Sequence, residues 1–378
     1  MKHHPTLQSA VSGKKVAIVH DWLTGMRGGE MCLEIICNLF PDATIFTLIH
    51  NEGSVSKQIE SHPIVTSFIQ KLPFKKNGYR NYLPLFPIAI EQLNLKEFDI
   101  IISTSHAVAK GVIPHAKALH ISYIHTPMRY VWDLYEQYFG QEKLNFLTRL
   151  IVPPVASYLR NWDVVSSNRV DFFVANSRNV KQRIYRHYRR DAEVIYPPVN
   201  TSKFLLGEKS DNYYLIVSAF VPYKRVDLAI EVANRREDRL VIIGNGPDEK
   251  YLHSIAGPTI EFKKALSHDE LIGFYQNCKA LLFPGEEDFG IVPLEAQSAG
   301  KPVIAFGKGG ALETVIDGKT GLFFYEQTIE SLNEALTKFE QTVFNAALIR
   351  EHALTFDEKV FETKLTEFIH RKVESHFS

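Results

Sequence analysis

Residues 283–300 read FPGEEDFGIVPLEAQSAG, and this stretch decides how the second half of the chain is expected to fold. The apolar run before it, Ala280 to Phe283, predicts a buried strand that ends at Pro284. An acidic loop follows. A helix is then predicted to open at Pro293, because proline's fixed φ and missing N–H suit the first helical position. Gly300 lies where a glycine commonly ends a helix.

Two carboxylates, Glu287 and Glu295, lie on this strand–loop–helix segment. Glu295 is predicted in the first turn of the helix, where the helix dipole keeps a carboxylate ionised. Glu287 follows the carboxyl end of the strand, which is where open α/β sheets bind ligands. Two fixed acceptors at such an edge suit a polyhydroxylated ligand, such as a sugar or a ribose.

Length and composition bound the remaining possibilities. A chain of 378 residues predicts two domains, and 45% apolar with 23% charged residues is ordinary for a globular protein. The 43 basic and 43 acidic residues cancel, so no global field recruits nucleic acid. The start of the chain lacks the apolar core of a signal peptide, and no apolar run is long enough to span a bilayer.

The three cysteines, Cys32, Cys37 and Cys278, are expected to be buried, reduced thiols of a cytosolic protein. No Cys/His spacing indicates a metal site, and no cofactor is expected.

Strand patterns alternate with helical ones, which predicts a parallel α/β architecture in each half. A polar break at 196–212 is expected to be a linker between a first domain, 14–200, and a second, 210–355. The chain is predicted to be helical from about Ile329, with a final helix at 356–378 that packs back on the first domain. The predicted strands lie at 15–20, 43–48, 98–103, 119–124, 172–175, 214–218, 240–243, 260–262, 280–283, 302–305 and 323–325.

Several glycines follow predicted strands. Gly28 and Gly29 lie between the first strand and a helix predicted from about Glu30, where backbone N–H groups bind an anion or simply form a tight turn. Gly244 and Gly246 allow close approach of a nucleotide or of the next helix. The pair Gly309-Gly310 cradles a phosphate or forms a structural turn. For each of these glycine motifs, the sequence is compatible with a ligand-binding role and with a purely structural one.

Two adjacent cations, Lys224 and Arg225, follow the first strand of the second half. A Lys/Arg pair suits a diphosphate leaving group, because it offsets the charge that develops as a glycosyl bond breaks. The alternative is a pair of solvated surface cations.

His125 is predicted at the carboxyl end of a first-half strand, close in sequence to Arg129 and Tyr130. Aromatic residues beside polar hydrogen-bonding groups are typical of carbohydrate-binding surfaces and equally of a domain core; Trp132 and Tyr135 extend the same pattern.

Two basic stretches, 68–86 and 178–190, have the composition of interfacial helices that lie on an anionic membrane, or of solvated helix faces. The first contains Lys71, Lys75, Lys76 and Arg80 among the aromatics Phe68, Phe74, Tyr79, Tyr82 and Phe86.

With these motifs in order, the chain resembles the retaining glycosyltransferases of family four, which have the GT-B fold. Within that family it is most similar to bacterial mannosyltransferases of O-antigen and exopolysaccharide synthesis. The motifs that agree, between about residues 16 and 356, are HDWLTGMRGGE, ISYIHTPMRYVWDLY, VANSRNV, VIYPPVN, VPYKRVDLAI, GNGP, EEDFGIVPLEAQSAGKPVIAFGKGGALETV and TGLFF.

The resemblance implies two Rossmann-like domains that face each other across a cleft. It implies sugar-nucleotide binding by the second domain and acceptor binding by the first, where Arg129 and Tyr130 lie. By position, Glu287 would bind hydroxyls of the transferred sugar, Glu295 the ribose, and Lys224 the diphosphate. The remaining implied contacts are His125 beside the reacting sugar, the backbone of Gly28 and Gly29 toward the donor, and the backbone N–H groups of Phe289, Gly290 and Ile291.

Two departures from the family pattern stand out. Ala219 occupies a position where the family commonly has arginine, and Arg225 is the candidate for the missing cation. Lys263-Lys264 replaces a leucine-glycine pair near the base of the nucleotide.

The function expected from the resemblance is metal-independent transfer of a hexosyl group with retention. The donor is expected to be GDP-mannose and the acceptor a glycan or a polyprenyl-linked oligosaccharide. The enzyme would act in the cytoplasm or at the inner face of the cytoplasmic membrane. The alternatives are a UDP-sugar-dependent glucosyl or N-acetylglucosaminyl transferase, a glycoside hydrolase or phosphorylase that uses Glu287 and Glu295 as acid and base, and a nucleotide-sugar binder without activity.

Overall fold

The structure, a computed structural model, describes residues 7–73, 78–135, 146–207, 210–264 and 266–378. The chain divides into two units. The N-terminal unit comprises Met1–Pro198 together with Phe361–Ser378, and the C-terminal unit comprises Val199–Val360.

The N-terminal unit contains a seven-stranded parallel sheet with the strand order β3-β2-β1-β4-β5-β6-β7. Because the order reverses between β1 and β4, the carboxyl ends of these two strands border the crevice where open α/β sheets bind ligands. The strands are β1 Val16–His20, β2 Thr44–Thr47, β3 Ile64–Thr66, β4 Ile100–Ser105, β5 Leu119–Ile124, β6 Phe172–Ala175 and β7 Ala192–Val194.

Helices cover both faces of this sheet, which explains why β1 is apolar from Val16 to Val19. Ile18 packs into the core on one face, while Ala17 and Val19 pack into the core on the other. A strand that is buried on both faces is a continuous apolar run rather than an alternating one. The helices of this part are α1 Leu7–Ala10, α2 Gly28–Leu39, α3 Lys57–Glu60, α4 Phe86–Glu91, α5 Phe146–Ser166 and α6 Arg178–Tyr188.

The C-terminal unit contains a six-stranded parallel sheet with the order β10-β9-β8-β11-β12-β13. Its order reverses between β8 and β11. The strands are β8 Tyr214–Val217, β9 Leu240–Ile243, β10 Ile260–Lys263, β11 Ala280–Phe283, β12 Val303–Phe306 and β13 Gly321–Phe324. The helices are α7 Val226–Arg236, α8 Glu249–Ile255, α9 His268–Asn277, α10 Ile291–Ser298, α11 Ala311–Thr314, α12 Ile329–Glu340 and α13 Ala346–Leu354.

The last helix, α14 Glu358–Phe377, belongs mostly to the N-terminal unit. Its buried residues Phe361, Leu365 and Phe368 join the same core as Ile18. The ring of Phe361 packs edge-on against that of Tyr123 on β5, with the centroids 5.7 Å apart.

The α/β prediction is confirmed in both units, and all eleven predicted strands are present. Strands β3 and β7 were not predicted, because each has three residues and lies at a sheet edge, too short for a distinct apolar pattern. The three cysteines are buried and form no disulfide. In the part of the chain that the structure describes, no helix combines the length and apolar character needed to cross a membrane.

Two predicted helix starts are wrong. The helix α10 opens at Ile291 rather than Pro293, because Gly290, with φ +95°, turns the chain directly into the helix. The helix α2 includes Gly28 and Gly29, which are its first two residues rather than a turn that precedes it. The predicted end at Gly300 is confirmed, since α10 stops at Ser298 and Gly300 has φ +77°.

Residues 178–188 of the stretch 178–190 form the amphipathic helix α6, and several cations of the stretch have partners within the N-terminal unit. Lys181 lies 2.9 Å from a carboxylate oxygen of Asp191, and the guanidinium of Arg190 donates to the carbonyl of Val170 at 2.8 Å. This pattern favours the solvated helix face over the interfacial helix. In the other basic stretch, 3-10 turns lie at Phe68–Lys71 and Tyr79–Leu85, and Phe74, Lys75 and Lys76 lie outside the described residues.

The loops at the carboxyl edge of the C-terminal sheet touch one another through glycines. We call residues 284–290, which follow β11, the Glu287 loop. A Cβ at Gly285 would lie 2.7 Å from Lys224 Cα, and a Cβ at Gly310 would lie 2.2 Å from Phe289 Cα. The N–H of Gly310 also donates to the carbonyl of Glu287 at 2.8 Å. The Glu287 loop is therefore held between the loops that follow β8 and β12.

Gly244 and Gly246, which follow β9, allow the same close contact with the loop after β8. Their Cβ atoms would lie 1.9 Å from the carbonyl oxygen of Ser218 and 2.4 Å from that of Phe220. The backbone that these glycines approach is thus the loop after β8, and neither the following helix nor a ligand is needed to explain them. Close packing against the backbone of the Glu287 loop likewise explains Gly309 and Gly310.

Substitution of Gly310 by alanine should destabilise the C-terminal unit by about 1–3 kcal/mol, the usual cost of overpacking. Its φ of −67° is open to alanine, so the cost arises from the clash with the Phe289 backbone. The free energy of unfolding in urea gives the size of the effect, and hydrogen exchange in peptides from β11 and α10 gives its location.

The matched control is Gly273→Ala in the interior of α9, where a Cβ would meet no atom within 4 Å. This variant should gain about 0.5–1 kcal/mol from the better helix propensity of alanine. Equal stability of the two variants would contradict the proposed role of the glycine contacts.

Candidate active site

Lys224 and Glu287 lie together at the point where the strand order of the C-terminal sheet reverses. Lys224 follows β8 and Glu287 follows β11, and the Lys224 ammonium forms an ion pair with the Glu287 carboxylate. Both side chains are mostly buried, with 19% and 15% of their surfaces exposed. The sequence analysis assigned them separate roles, and the structure makes them direct partners.

Arg225 has a different set of partners from Lys224. It adopts a left-handed conformation with φ +51° ahead of α7, and its Nε lies 3.2 Å from both carboxylate oxygens of Asp227. Its guanidinium also lines a cavity of about 380 Å³ together with Asp248 and Tyr251. Adjacency in sequence therefore does not make Lys224 and Arg225 a pair.

Glu295 is bound by a tyrosine and lies in the second turn of α10. The hydroxyl of the buried Tyr275 donates to Oε2 of Glu295 at 2.6 Å. Burial raises the pKa of Glu295, and the Tyr275 hydrogen bond only partly opposes this effect. The predicted first-turn position of Glu295 is therefore wrong, since the helix begins two residues earlier, and burial of the side chain acts against the ionised form.

The backbone at the start of α10 carries the N–H groups of Phe289, Gly290 and Ile291 that the resemblance assigns to ligand binding. Phe289 is buried and packs against Phe356, with the ring centroids 5.9 Å apart. Gly290 and Ile291 then turn the chain into the helix, so their N–H groups lie at the helix N-terminus, an environment that suits an anion.

The two departures from the family pattern occupy ordinary positions in the C-terminal unit. Ala219 is exposed in the turn after β8, and its carbonyl accepts from the N–H of Val221 at 3.1 Å. Lys263 pairs with Glu261 at 2.5 Å, and Lys264 pairs with Glu249.

In the N-terminal unit, three histidines lie at the carboxyl edge of the sheet. His20 ends β1, His106 follows β4 and His125 follows β5. The ring centroid of His106 lies 6.3 Å from that of His20 and 6.3 Å from that of His125. A Cβ built on Gly29 would lie 3.5 Å from Nε2 of His125, so Gly29 adjoins this cluster as well. Burial lowers the pKa of His125 to about 3, which keeps the ring neutral.

The predicted anion site at Gly28 and Gly29 already has a carboxylate of the chain beside it. Oε2 of the buried Glu30 accepts from the N–H of Arg27 at 3.0 Å, and Oε1 lies 3.6 Å from Nε2 of His20. Burial alone would raise the pKa of Glu30, but the His20 ring and the backbone bond together lower it. The negative charge at the start of α2 therefore belongs to the protein itself.

Arg129 and Tyr130 lie half-buried in a segment that is anchored to α5. The indole N–H of Trp132 donates to Asp163 at 2.9 Å, and the guanidinium of Arg160 donates to the carbonyl of Val131 at 2.6 Å. Tyr130, Trp132 and Tyr135 pack against the apolar core, which favours the core interpretation of this aromatic cluster.

Sequence reasoning missed four polar residues of the N-terminal cluster: His20, Asp21, Glu30 and His106. A signal was present for the first two, since a buried apolar strand that ends in His-Asp puts polar side chains at the binding edge. For His106 only the fold brings the side chain to this edge. Within the described residues, no group of three or more His, Cys, Asp or Glu side chains is arranged to hold a metal ion.

Two family models match the chain. Residues 42–203 match the model described as Glycosyltransferase Family 4, and residues 200–349 match the model described as Glycosyl transferases group 1.

Curated relatives align over part of the chain. An uncharacterised glycosyltransferase of Methanocaldococcus jannaschii is 33% identical over 44% of this chain and 48% of its own length. The alpha-1,3/1,6-mannosyltransferase ALG2 of Homo sapiens is 26% identical over 52% of this chain and 55% of its own length. The O-antigen chain mannosyltransferase RfbU of Salmonella typhimurium is 29% identical over 49% and 58%. The chain thus spans about half the length of the curated relatives it matches.

Solved structures match along nearly the whole chain. Sucrose-phosphate synthase from Thermosynechococcus elongatus has a TM-score of 0.70 at 15% identity, covering 96% of this chain and 100% of that one. Anabaena HepE, solved in complex with UDP, has a TM-score of 0.67 at 16% identity, covering 94% and 99%. These likenesses establish the fold. The fold that they share with this chain is GT-B. The two family models together span residues 42–349, and they show that the chain belongs to the group 1, family 4 glycosyltransferases.

Proposed function

We propose that this protein transfers a hexosyl group from a sugar nucleotide to a hydroxyl group of an acceptor, with retention of anomeric configuration. The observation that carries the proposal is the Lys224–Glu287 ion pair at the binding edge of the C-terminal sheet. A cation for a diphosphate and a carboxylate for sugar hydroxyls are the two groups that a sugar-nucleotide site needs at its reacting end.

In this proposal Lys224 stabilises the negative charge that develops on the diphosphate. The acceptor oxygen forms a bond to the anomeric carbon on the face that the diphosphate leaves. The bond from the anomeric carbon to the phosphate oxygen breaks, and its electron pair departs with the diphosphate. The acceptor's proton passes to the leaving phosphate oxygen. Glu287 binds hydroxyls of the transferred sugar.

The other donor contacts are proposed on position. Glu295, fixed by Tyr275, accepts from ribose hydroxyls through its remaining oxygen. The N–H groups at the start of α10 bind the sugar and phosphate. In the N-terminal unit, His125 is proposed beside the reacting sugar, and the backbone at Gly28 and Gly29 is proposed to approach the uncharged sugar end of the donor rather than its diphosphate.

We propose mannose, from GDP-mannose, as the transferred sugar, because ALG2 and RfbU are both named mannosyltransferases. A UDP-sugar is the second candidate, because HepE is solved with UDP and with UDP-glucose. A hydrolase or phosphorylase that uses Glu287 as a free acid or base is disfavoured, since Lys224 is paired with that carboxylate.

The proposed acceptor is a glycan or a polyprenyl-linked oligosaccharide of a surface polysaccharide, which the protein meets as a peripheral enzyme on the inner face of the cytoplasmic membrane. The N-terminal unit supports this with exposed apolar side chains beside cations. Ile88, Leu150, Ile151 and Val165 are each 46–61% exposed, and Ile151 shares an apolar groove with Arg80.

Lys224→Ala and Glu287→Gln should each lower kcat by at least about 10²-fold, the scale for one preorganised electrostatic group. Release of nucleoside diphosphate from the donor measures the effect. Lys308→Ala is the matched control, because Lys308 lies on the neighbouring loop in an exposed ion pair with Glu286, and its turnover should change less than about twofold. Near-normal turnover in both site variants would show that these residues are not the reacting end of the site.

Binding of sugar nucleotides distinguishes the two donor candidates. Calorimetry with GDP-mannose, GDP-fucose, UDP-glucose, UDP-N-acetylglucosamine and dTDP-rhamnose should give the tightest binding for GDP-mannose. Binding of a UDP-sugar without binding of either GDP-sugar would reject the mannosyl assignment while leaving the transferase assignment in place.

Cosedimentation with vesicles of phosphatidylethanolamine and phosphatidylglycerol tests the membrane contact. Ile151→Glu should weaken binding to these vesicles, because it places a negative charge on the apolar surface beside the anionic lipid. Leu312→Glu, at an exposed apolar residue of the C-terminal unit, should leave binding unchanged. Equal binding by both variants would rule out this surface.

A further inference from the structure

Asp21 holds the loop that follows β4 through its carboxylate. Oδ2 accepts from the N–H groups of His106 at 2.7 Å and Ala107 at 2.9 Å, and Oδ1 accepts from those of Val108 at 2.6 Å and Ala109 at 2.7 Å. Asp21 itself is fully buried. These four backbone donors fix the position of the Asp21 side chain and the conformation of the loop.

The same carboxylate orients the side chain of His106. Nδ1 of His106 lies 3.1 Å from Oδ2 of Asp21, and the ring stands edge-on to Trp22 with the centroids 4.4 Å apart. A carboxylate beside Nδ1 keeps the proton there, so in the neutral ring Nε2 carries the lone pair. Burial lowers the pKa of His106, and Asp21 only partly opposes this, so the ring is neutral near pH 7.

Nε2 of His106 has no hydrogen-bond partner among the residues that the structure describes, and 29% of the side chain is exposed. His62 and His120 of the same unit differ in this respect, whereas Nε2 of His187 and of His370 also has no hydrogen-bond partner among the described residues. Both ring nitrogens of His62 contact carbonyl oxygens, and those of His120 contact Ser103 and the carbonyl of Arg169. His106 is thus oriented through one nitrogen and presents the other.

His106 lies at the same edge of the sheet as His125. The two rings lie 6.3 Å apart at the edge where β4 and β5 end, and Nε2 of His125 also has no hydrogen-bond partner among the described residues. The buried carboxylates of Asp21 and Glu30 lie in the same cluster and would repel a further anion. A neutral hydroxyl meets no such penalty.

We propose that His106 is an acceptor-binding residue: its Nε2 accepts a hydrogen bond from a hydroxyl group of the sugar acceptor, and Asp21 is the positioning residue that orients the ring. This inference rests on the proposed function, and it adds a hydroxyl-binding group on the N-terminal unit.

The test compares two substitutions of His106 with different geometry. In His106→Asn, the amide N–H takes the place of Nδ1 and keeps a donor for Asp21, while nothing replaces Nε2. In His106→Gln, the longer amide reaches the Nε2 position and offers an oxygen acceptor there. His115→Asn, at the opposite edge of the sheet before β5, is the matched control. Thermal unfolding verifies that each variant is folded.

Two rates are measured with the sugar nucleotide that binds: hydrolysis of the donor without acceptor, and transfer to an octyl glycoside. The probe is whichever of octyl mannoside, galactoside, glucoside and N-acetylglucosaminide the unsubstituted protein glycosylates fastest. His106→Asn should raise the KM for this glycoside about five- to tenfold, the worth of one neutral hydrogen bond. Donor hydrolysis should stay within about twofold of the unsubstituted protein. His106→Gln should recover part of the loss, and His115→Asn should match the unsubstituted protein.

An unchanged KM in His106→Asn, a parallel loss of donor hydrolysis, or glycosylation of none of the four glycosides would overturn the inference while the proposed donor chemistry stands. Absence of any sugar-nucleotide hydrolysis or transfer by the unsubstituted protein would overturn the proposed function, and this inference with it.

Discussion

The close approach of backbone to backbone at the carboxyl edge of the C-terminal sheet is the constraint on which the site depends. Loops from four neighbouring strands, β9, β8, β11 and β12, touch there, and each contact requires a glycine because a Cβ would overlap the facing main chain. The Glu287 loop is thereby fixed by backbone contacts in addition to the buried ring of Phe289. A site that is held by packed backbone keeps its charged groups in place before a ligand arrives, which is what electrostatic stabilisation needs.

The charges on this scaffold form a mutually compensated pair. A mostly buried lysine or carboxylate alone would pay a large desolvation cost, and the Lys224–Glu287 contact offsets it. Under the proposed function, the diphosphate of the donor replaces Glu287 as the partner of the Lys224 ammonium. Hydroxyl groups of the sugar replace Lys224 as the partners of the Glu287 carboxylate, so neither charge is left without a partner. The same logic applies to Glu295: burial raises its pKa, and among the described residues the Tyr275 hydroxyl is the one side-chain group that binds it.

The eleven strands of four or more residues were predictable from sequence, as was the sheet edge at which Lys224 and Glu287 lie, because both depend on local pattern. Apolar runs mark β8 and β11, and the polar residues just after them had to lie at one edge of a parallel sheet. The pairing of Lys224 with Glu287, the turning of Arg225 toward Asp227 and the burial of Glu295 were not predictable. The Lys224–Glu287 pairing and the burial of Glu295 depend on residues distant in sequence, and Glu295 also depends on a helix start that a left-handed Gly290 moves by two residues. The contact of Arg225 with Asp227 depends on the left-handed backbone of Arg225, which its sequence does not indicate.

In the N-terminal unit, a different interaction fixes a loop at the carboxyl edge of the sheet. There, the loop after β4 is held by the Asp21 carboxylate, which accepts from four successive backbone N–H groups, rather than by glycine contacts. A carboxylate holds a loop and also adds negative charge, so this edge is suited to neutral groups, whereas the C-terminal edge offers an ammonium and helix N–H groups that suit an anion. The two ways of fixing a loop therefore impose opposite preferences on the ligand. Under the proposed function, these preferences match an anionic donor at the C-terminal edge and a neutral acceptor at the N-terminal edge.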